Sequence, residues 1–186
     1  MKTSFLRGFS LVELMITLGI AAIIMSMAVP TFKTFIDKQR LLTTASEFYS
    51  AVNMTRAEAI KRGSRVNMVA TDGTNWTSGW KVFIDANSNL KVDAGETIIF
   101  SHDATNLTSS SIGITNNFTD SASTYISYTG NGRSRTDASS QQPQAGTVTF
   151  TLGTSVRRVK INFLGRSRIC DPSVDLNTCG DTQTGD

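Results

Sequence analysis

The sequence Gly-Arg-Ser-Arg occurs twice in this chain, at Gly132–Arg135 and at Gly165–Arg168. Alternate side chains of an extended strand lie on the same side, so the two arginines of each copy form a fork of guanidinium groups. Such a fork suits phosphate oxygens, and the glycine allows a turn or a close approach of the backbone. Each copy is therefore a candidate anion site, and a solvated hairpin turn with exposed arginines is the alternative.

The second copy is the stronger candidate, because other basic residues precede it. Arg158 and Lys160 alternate outward on the preceding predicted strand, and the stretch 157–168 contains no acidic residue. The formal net charge of the whole chain is only +3. Attraction to an anion therefore has to be local, and we expect it just before the C-terminal tail.

Two cysteines, Cys170 and Cys179, enclose a short stretch rich in Asp, Asn and Pro that turns readily. Two thiols are too few for a structural zinc site without nearby histidines, and the only histidine, His102, is distant in sequence. A disulfide and an oxidising compartment are the prediction. Two free thiols in a frayed tail are the alternative.

Catalysis is not predicted. His102 and Asp103 could be combined on paper with a serine into a hydrolase triad, but no serine lies in a nucleophile-elbow pattern. We expect His102 to be an exposed loop residue. The fragment Gly130–Gly132 lacks the strand–loop–helix setting of a phosphate cradle. The chain is therefore interpreted as a protein without enzymatic activity and without a cofactor.

A calcium-binding pattern is present in an imperfect form. The oxygen-bearing residues with EF-hand spacing are Asp85, Asn87, Asn89, Asp93 and Glu96. Leu90 occupies the position that requires a glycine, and no helix is expected on either side. A solvated connection between strands is the preferred interpretation, and no metal site is predicted.

The N-terminal segment is an apolar run with one carboxylate near its start. No charged residue occurs between Glu13 and Lys33, so the run can span most of a bilayer. A secretory signal should end in a small-residue cleavage site after the run, but here Gly8 precedes it. A carboxylate in an apolar helix is costly and needs a partner. A plain transmembrane anchor would not explain Glu13.

The stretch Gly8–Glu13 resembles the type IV prepilin motif. The resemblance implies that a prepilin peptidase cleaves between Gly8 and Phe9 and methylates the new amine of Phe9. It also implies that Glu13 pairs with the N-terminal amine of a neighbouring subunit during assembly, which would offset its burial.

Beyond the apolar run the pattern predicts an amphipathic helix that ends near Gly63 and then a β-rich head. Its apolar face is formed by Leu41, Ala45, Phe48, Val52 and Ala59. Period-two strands are predicted around Val66–Ala70, Trp80–Ile84, Ile98–Phe100, Ser109–Asn117, Tyr125–Thr129, Val148–Leu152 and Val159–Phe163. The last two form a predicted hairpin, whereas Asp103–Ser111 and Asp137–Gln144 read as loops.

The strand 79–85, its Asn-rich turn and the two glycine–arginine turns resemble the FimT/GspH group of minor pilins and pseudopilins, FimT in particular. The resemblance implies an α+β fold, with a long N-terminal helix packed on an antiparallel β-sheet head. The expected organisation is a leader at 1–8, a transmembrane and assembly segment at 9–32, an amphipathic helix at 33–63, the head at 64–169 and a disulfide-closed tail at 170–186.

Two functions are compatible with these features. FimT-type proteins of DNA uptake carry a C-terminal Gly-Arg-Xaa-Arg motif, which Gly165–Arg168 resembles; this implies a minor pilin that binds duplex DNA without sequence preference and supports natural transformation. The alternative is a structural minor pilin or type II secretion pseudopilin. The predicted DNA-binding residues are Gly165, Arg166 and Arg168, supported by Arg158 and Lys160, with Arg133 and Arg135 as a secondary pair.

Both functions imply the same partners and location. These are other pilin subunits, the inner-membrane assembly machinery and prepilin peptidase. The protein is expected to cross the inner membrane once, with its head in the periplasm, and then to enter a pilus or pseudopilus.

Overall fold

The computed structural model describes residues 8–104, 112–120 and 124–183, and within helix α1 it leaves the side chains of residues 27–31 undescribed. Helix α1 spans Leu11–Arg62. The chain divides into two units, Met1–Gln39 and Arg40–Asp186.

The first unit contains the start of α1, which is closed by a reciprocal capping box. The Ser10 hydroxyl accepts a hydrogen bond from the Glu13 amide at 3.2 Å, and the Glu13 carboxylate accepts one from the Ser10 amide at 3.4 Å. The large apolar side chains that are described in this part of α1 are exposed. Within the described residues, no helical segment is both long enough and apolar enough to cross a membrane.

In the second unit α1 buries the apolar face that its sequence predicts. All five side chains of that face are buried, namely Leu41, Ala45, Phe48, Val52 and Ala59. The helix ends at Arg62, and Gly63 follows with φ +62°. The Ser64 amide donates to the Ala59 carbonyl at 3.3 Å, which is the hydrogen bond of a Schellman-type C-terminus.

The described part of the head contains eight strands and a short 3₁₀ helix at Trp76–Ser78. The strands are β1 Val66–Ala70, β2 Gly79–Ile84, β3 Thr97–Asp103, β4 Gly113–Phe118, β5 Tyr125–Tyr128, β6 Gly146–Leu152, β7 Ser155–Ile161 and β8 Ser167–Cys170. They form two antiparallel sheets, in the orders β3-β2-β1-β5 and β4-β6-β7-β8. The predicted α+β fold is confirmed.

The core lies where α1 meets both sheets. The Phe48 ring makes edge-to-face contacts with Trp76 and Trp80, each at a centroid distance of 5.1 Å, and with Phe150 at 5.3 Å. Because Trp80 lies on β2 and Phe150 on β6, one helical side chain joins the two sheets. This packing fixes the helix against both sheets.

Most predicted strands coincide with observed ones, including the β6–β7 hairpin. Phe163 does not extend β7, which ends at Ile161; its side chain is exposed, because it lies in the turn to β8. Of the predicted loop Asp103–Ser111, residues 105–111 lie outside the described ones, and Asp103 is the last residue of β3.

Candidate nucleic-acid interface

The first Gly-Arg-Ser-Arg copy begins in a hairpin turn, called turn 1 here, at Thr129–Arg133. The Thr129 amide donates to the Arg133 carbonyl at 3.0 Å, and the Gly132 amide donates to the Thr129 carbonyl at 2.8 Å. Gly132 has φ +74°, the left-handed conformation that closes a three-residue hairpin loop. The Asn131 side-chain oxygen accepts from the Arg133 amide at 3.1 Å.

The second copy begins in turn 2, at Asn162–Arg166, which has the same pair of backbone hydrogen bonds. The Asn162 amide donates to the Arg166 carbonyl at 3.0 Å, and the Gly165 amide donates to the Asn162 carbonyl at 2.8 Å. Gly165 has φ +75°. The Asn162 side-chain oxygen accepts from the Arg166 amide at 3.0 Å. Both turns therefore place an arginine directly after a left-handed glycine.

Turn 1 and turn 2 are in direct backbone contact. A Cβ atom at Gly165 would lie 2.7 Å from the Ser134 nitrogen and 2.8 Å from the Gly132 oxygen, so only glycine fits there. The buried Tyr128 hydroxyl donates to the Gly165 carbonyl at 3.0 Å. Burial raises the pKa of Tyr128 well above its usual value, so the hydroxyl remains a donor. The two copies thus share one region of the surface.

Helix α1 supports both turns. The Arg56 Nε atom donates to the Gly132 carbonyl at 2.9 Å, and the Ser167 hydroxyl, which follows turn 2, donates to the Asn53 side-chain oxygen at 2.9 Å. The Ile60 side chain packs beside Gly132, where an added Cβ would lie 2.7 Å from Ile60 Cδ1. Arg56 therefore lies next to turn 1 as a third cation.

The arginines that follow the two glycines are exposed. The side chains of Arg133 and Arg166 make no hydrogen bond or ion pair with any residue that the structure describes. Arg135, the second arginine of the first copy, is half-buried and donates to the Ser134 carbonyl at 3.2 Å. Two of the predicted residues, one from each turn, are thus presented without a partner among the residues that the structure describes.

The other predicted cations face the C-terminal tail, which is described over residues 170–183. Arg158 donates to the Cys179 carbonyl at 2.6 Å, and Lys160 Nζ donates to the Thr178 carbonyl at 3.1 Å. Arg168 also donates to Thr178, at its carbonyl and at its hydroxyl. Lys160 is 0% exposed. The prediction that Lys160 supports an exposed DNA surface is wrong, because the tail covers it.

The predicted disulfide between Cys170 and Cys179 is present. The tail has further anchors besides the bridge: Arg157 forms an ion pair with Asp171, and the Asp175 carboxylate accepts hydrogen bonds from Thr178. These hydrogen bonds lower the pKa of Asp175. The bridge therefore closes a tail segment whose backbone carbonyls serve as acceptors for basic side chains of the sheet.

The N-terminal motif lies in the other unit. Gly8 has open space around its Cα, and the Phe9 side chain is 81% exposed. Glu13 takes part in the capping box with Ser10. Glu13 thus has a local partner besides the intermolecular one that the motif implies, and Ser10 three residues before it is the recognisable signal of this capping box.

His102 is not the exposed loop residue that its sequence context suggested. It lies on β3, half-buried, with its ring stacked on Trp80 at a centroid distance of 4.1 Å. Its Nε2 atom lies 3.2 Å from a carboxylate oxygen of Glu47. The cross-strand pairing of His102 with Trp80 accounts for this position, because strand alternation places both side chains on the helix-facing side.

The calcium-like segment uses its oxygens for internal hydrogen bonds. Asp85 accepts from the amides of Asn89 at 3.2 Å and Leu90 at 2.8 Å, and Glu96 accepts from the Ala86 amide at 2.9 Å. Leu90 adopts φ +58° where the EF-hand pattern has glycine. In the described ranges, no group of three or more ligating side chains is arranged to hold a metal ion.

Family comparisons agree with this architecture. The family described as type II transport protein GspH matches residues 44–165, which is more than half of the chain. The prokaryotic N-terminal methylation motif matches residues 7–29. The second match includes the glycine, the residue after it and the carboxylate of the N-terminal motif.

Individual proteins are similar over shorter or more divergent stretches. Pilin-like protein PilA1 of Thermus thermophilus is 33% identical over 91 residues, 48% of this chain and 55% of that protein. The chain thus spans about half the length of this curated relative. The type IV minor pilin FimU of Pseudomonas aeruginosa PAO1, in two crystal forms, gives TM-scores of 0.57 and 0.53 at 18% identity, covering 75% and 71% of this chain and 94% of FimU. This similarity concerns the fold.

Proposed function

Because this chain belongs to the GspH family and is a minor type IV pilin or pseudopilin, we propose that its head binds DNA without sequence preference and supports DNA uptake as well as pilus biogenesis. The observation that carries the proposal is the exposed Arg166, which follows Gly165 in turn 2 and has no partner among the described residues. Arg158 and Arg168 are only half-buried, and both donate to carbonyls of the C-terminal tail.

Phosphate is the ligand that this arrangement suits. An unpaired guanidinium offers several donors in one plane to phosphate oxygens. Base edges need not be read, since the basic residues lie on strands and turns rather than on a recognition helix. Contacts of this kind give dissociation constants on the order of 10⁻⁴–10⁻⁶ M near physiological salt. A filament that displays many heads would raise the apparent affinity through avidity.

The test is fluorescence anisotropy of labelled duplexes with the full chain in a neutral detergent. Wild type should bind unrelated sequences equally, and its affinity should fall steeply with salt. Arg166→Ala should weaken binding to all sequences and lower the log–log salt slope by about one. Lys91→Ala, which removes an exposed cation from the β2–β3 connection, is the matched control. Absence of binding by wild type at low salt would contradict the proposal.

A purely structural subunit is the second candidate. The engagement of Arg158, Lys160 and Arg168 by the tail favours it, because three of the predicted DNA contacts already have acceptors within the head. In that case the basic residues stabilise the tail, and the protein acts only as a building block of a pilus or secretion pseudopilus. Equal DNA binding by wild type and by Arg166→Ala would favour this function.

The N-terminal motif is the basis for proposing how the chain matures and where it is located. Prepilin peptidase cleaves after Gly8, and the Phe9 amine is methylated. Before assembly the chain crosses the inner membrane once, and the assembly machinery then incorporates it into the filament. Gly8→Ala should block processing, whereas Glu13→Ala should leave processing intact and impair incorporation. Mass spectrometry of membrane-extracted protein measures the first effect. An uncleaved Met1, or cleavage after the apolar run, would contradict it.

A further inference from the structure

We propose that turn 1, turn 2 and the adjoining part of helix α1 form one composite phosphodiester site, in which Arg133 and Arg166 contribute equally and Arg56 assists. This inference rests on the proposed DNA binding and assigns it a second, equivalent set of residues. It differs from a site confined to the C-terminal copy, because Arg133 precedes Arg166 by more than 30 residues in the printed sequence.

The backbones of the two turns are equivalent. Each has the same pair of backbone hydrogen bonds and a glycine at φ +74° or +75° immediately before its arginine. In each, an asparagine side chain accepts from the arginine amide, at 3.1 Å in turn 1 and 3.0 Å in turn 2. The two arginines therefore leave the backbone from equivalent positions. A reason for one to bind phosphate applies equally to the other.

The two turns also touch each other. Gly165 approaches the backbone of the first copy so closely that a Cβ would lie 2.8 Å from the Gly132 oxygen. Arg133 and Arg166 are each the next residue after this contact. Phosphates follow one another at about 3.4 Å of axial rise along each DNA strand. Two long side chains that start from touching turns can therefore reach neighbouring phosphates of one backbone.

Arg56 on helix α1 adds a third positive charge beside turn 1. Its Nε atom is bound to the Gly132 carbonyl at 2.9 Å, which holds the guanidinium beside turn 1. Its side chain is half-buried, and it forms no ion pair with any described residue. Arg56 thus ties the helix to turn 1 and adds a positive charge at the same place.

Two acidic residues that lie close in sequence to the composite site have cationic partners elsewhere. Glu58, two residues from Arg56, forms ion pairs with Lys61 and Arg62. Asp137, which follows the first copy, pairs with Arg65. Neither of these two acids pairs with an arginine of the composite site, so neither competes there with an external anion.

The experiment compares Arg133→Ala, Arg166→Ala and the double variant with wild type, using the full chain in neutral detergent and labelled duplex DNA over a salt series. We expect each single change to weaken binding by a similar factor, roughly two- to fivefold, as for an exposed ion pair. Each should lower the log–log salt slope by about one, and the double variant by about two. Lys91→Ala should match wild type. Thermal melts by circular dichroism verify that all variants are folded.

The outcomes separate the composite site from the proposed function. If Arg166→Ala weakens binding while Arg133→Ala behaves as Lys91→Ala, the composite site is wrong and DNA binding stands. If each single variant keeps the wild-type salt slope, each turn binds DNA without the other. The two turns are then independent sites, and the composite site is again wrong. If wild type itself fails to bind, both proposals fall. Arg133→Lys, which keeps the charge, should retain most of the affinity and so exclude a merely structural effect of Arg133.

Discussion

The two turns and the tail-covered face of β7 and β8 present the same residue types in opposite situations. Arg133 and Arg166 project from the turns without protein acceptors in the described ranges, whereas Arg168 and the fully buried Lys160 donate to the tail at Thr178. Counting charges along the sequence treats these residues as equal. The difference teaches that basic residues of equal charge differ in how many donors they still offer to a ligand, because acceptors of the protein itself can already occupy some of them.

The largest expected effect distinguishes the two glycines of the turns. Gly165→Ala should destabilise the head by roughly 2–4 kcal/mol, because it combines a left-handed φ with a clash against the Ser134 backbone. Gly132→Ala has the same φ, but its Cβ would meet the flexible end of Ile60. We expect it to cost roughly 1–2 kcal/mol. Urea denaturation gives the comparison, and equal losses would contradict the close contact of the turns.

The next effect compares a covered cation with a free one. Lys160→Ala should lower the free energy of unfolding by roughly 1–3 kcal/mol, because the Thr178 carbonyl and the Thr182 hydroxyl lose a buried donor. Arg166→Ala should change it by less than about 0.5 kcal/mol, as for a surface side chain. Chemical denaturation of both variants checks this. A greater loss for Arg166→Ala would reverse the assignment of structural and free cations.

Reduction of the disulfide should make the basic side chains of the tail-covered face more available to DNA, as those of the two turns already are. Opening the Cys170–Cys179 loop should cost roughly 2–3 kcal/mol in the loop-entropy model. Amide exchange at Thr178 and Cys179 should become faster, and DNA affinity should rise as Arg158 and Arg168 lose their acceptors in the tail. Hydrogen exchange and anisotropy before and after reduction measure both. No change in either would show that the bridge does not organise the tail.

Lowering the pH should also loosen the tail, but to a smaller extent than reduction of the disulfide. Hydrogen bonds from Thr178 lower the pKa of Asp175. For Asp171, partial burial opposes ionisation, but hydrogen bonds from Ser173 and the nearby Arg157 outweigh it and lower the pKa. A lowered pKa stabilises the tail above the unfolded value of about 3.9, and this stabilisation is lost as pH falls through the folded value. Tail amide exchange should therefore accelerate below about pH 4 and stay constant between about pH 5 and 7 once the intrinsic pH dependence of exchange is divided out.

Much of the fold follows from local patterns in the sequence. The apolar face from Leu41 to Ala59 and the alternation in β6 and β7 identify their buried sides, because helical and strand periods are set by backbone geometry. The motif at Gly8–Glu13 could be recognised for a similar reason, since its residues are contiguous. Its capping box could also have been predicted from Ser10 and Glu13.

The candidate site was only partly predictable. Strand alternation correctly places Lys160 on the side away from the helix, but it cannot reveal that the tail covers this side. The contact between Gly165 and Gly132 joins segments that are distant in sequence, and it depends on how the two sheets that contain β5 and β7 are placed in three dimensions. The role of Arg56 could not be predicted either, because in the sequence of the helix nothing distinguishes it from the other solvated cations.

The most direct test of whether the turns bind DNA is to remove equal charge from the turns and from the tail-covered face. Arg133→Ala/Arg166→Ala and Arg158→Ala/Arg168→Ala each remove two positive charges, the first pair from the turns and the second from the tail-covered face. Fluorescence anisotropy with labelled duplex at low salt compares them on the full chain in neutral detergent. The account predicts that the turn variant loses most of the binding and that the tail-facing variant retains most of it. Equal losses, or a greater loss for the tail-facing variant, would contradict the account.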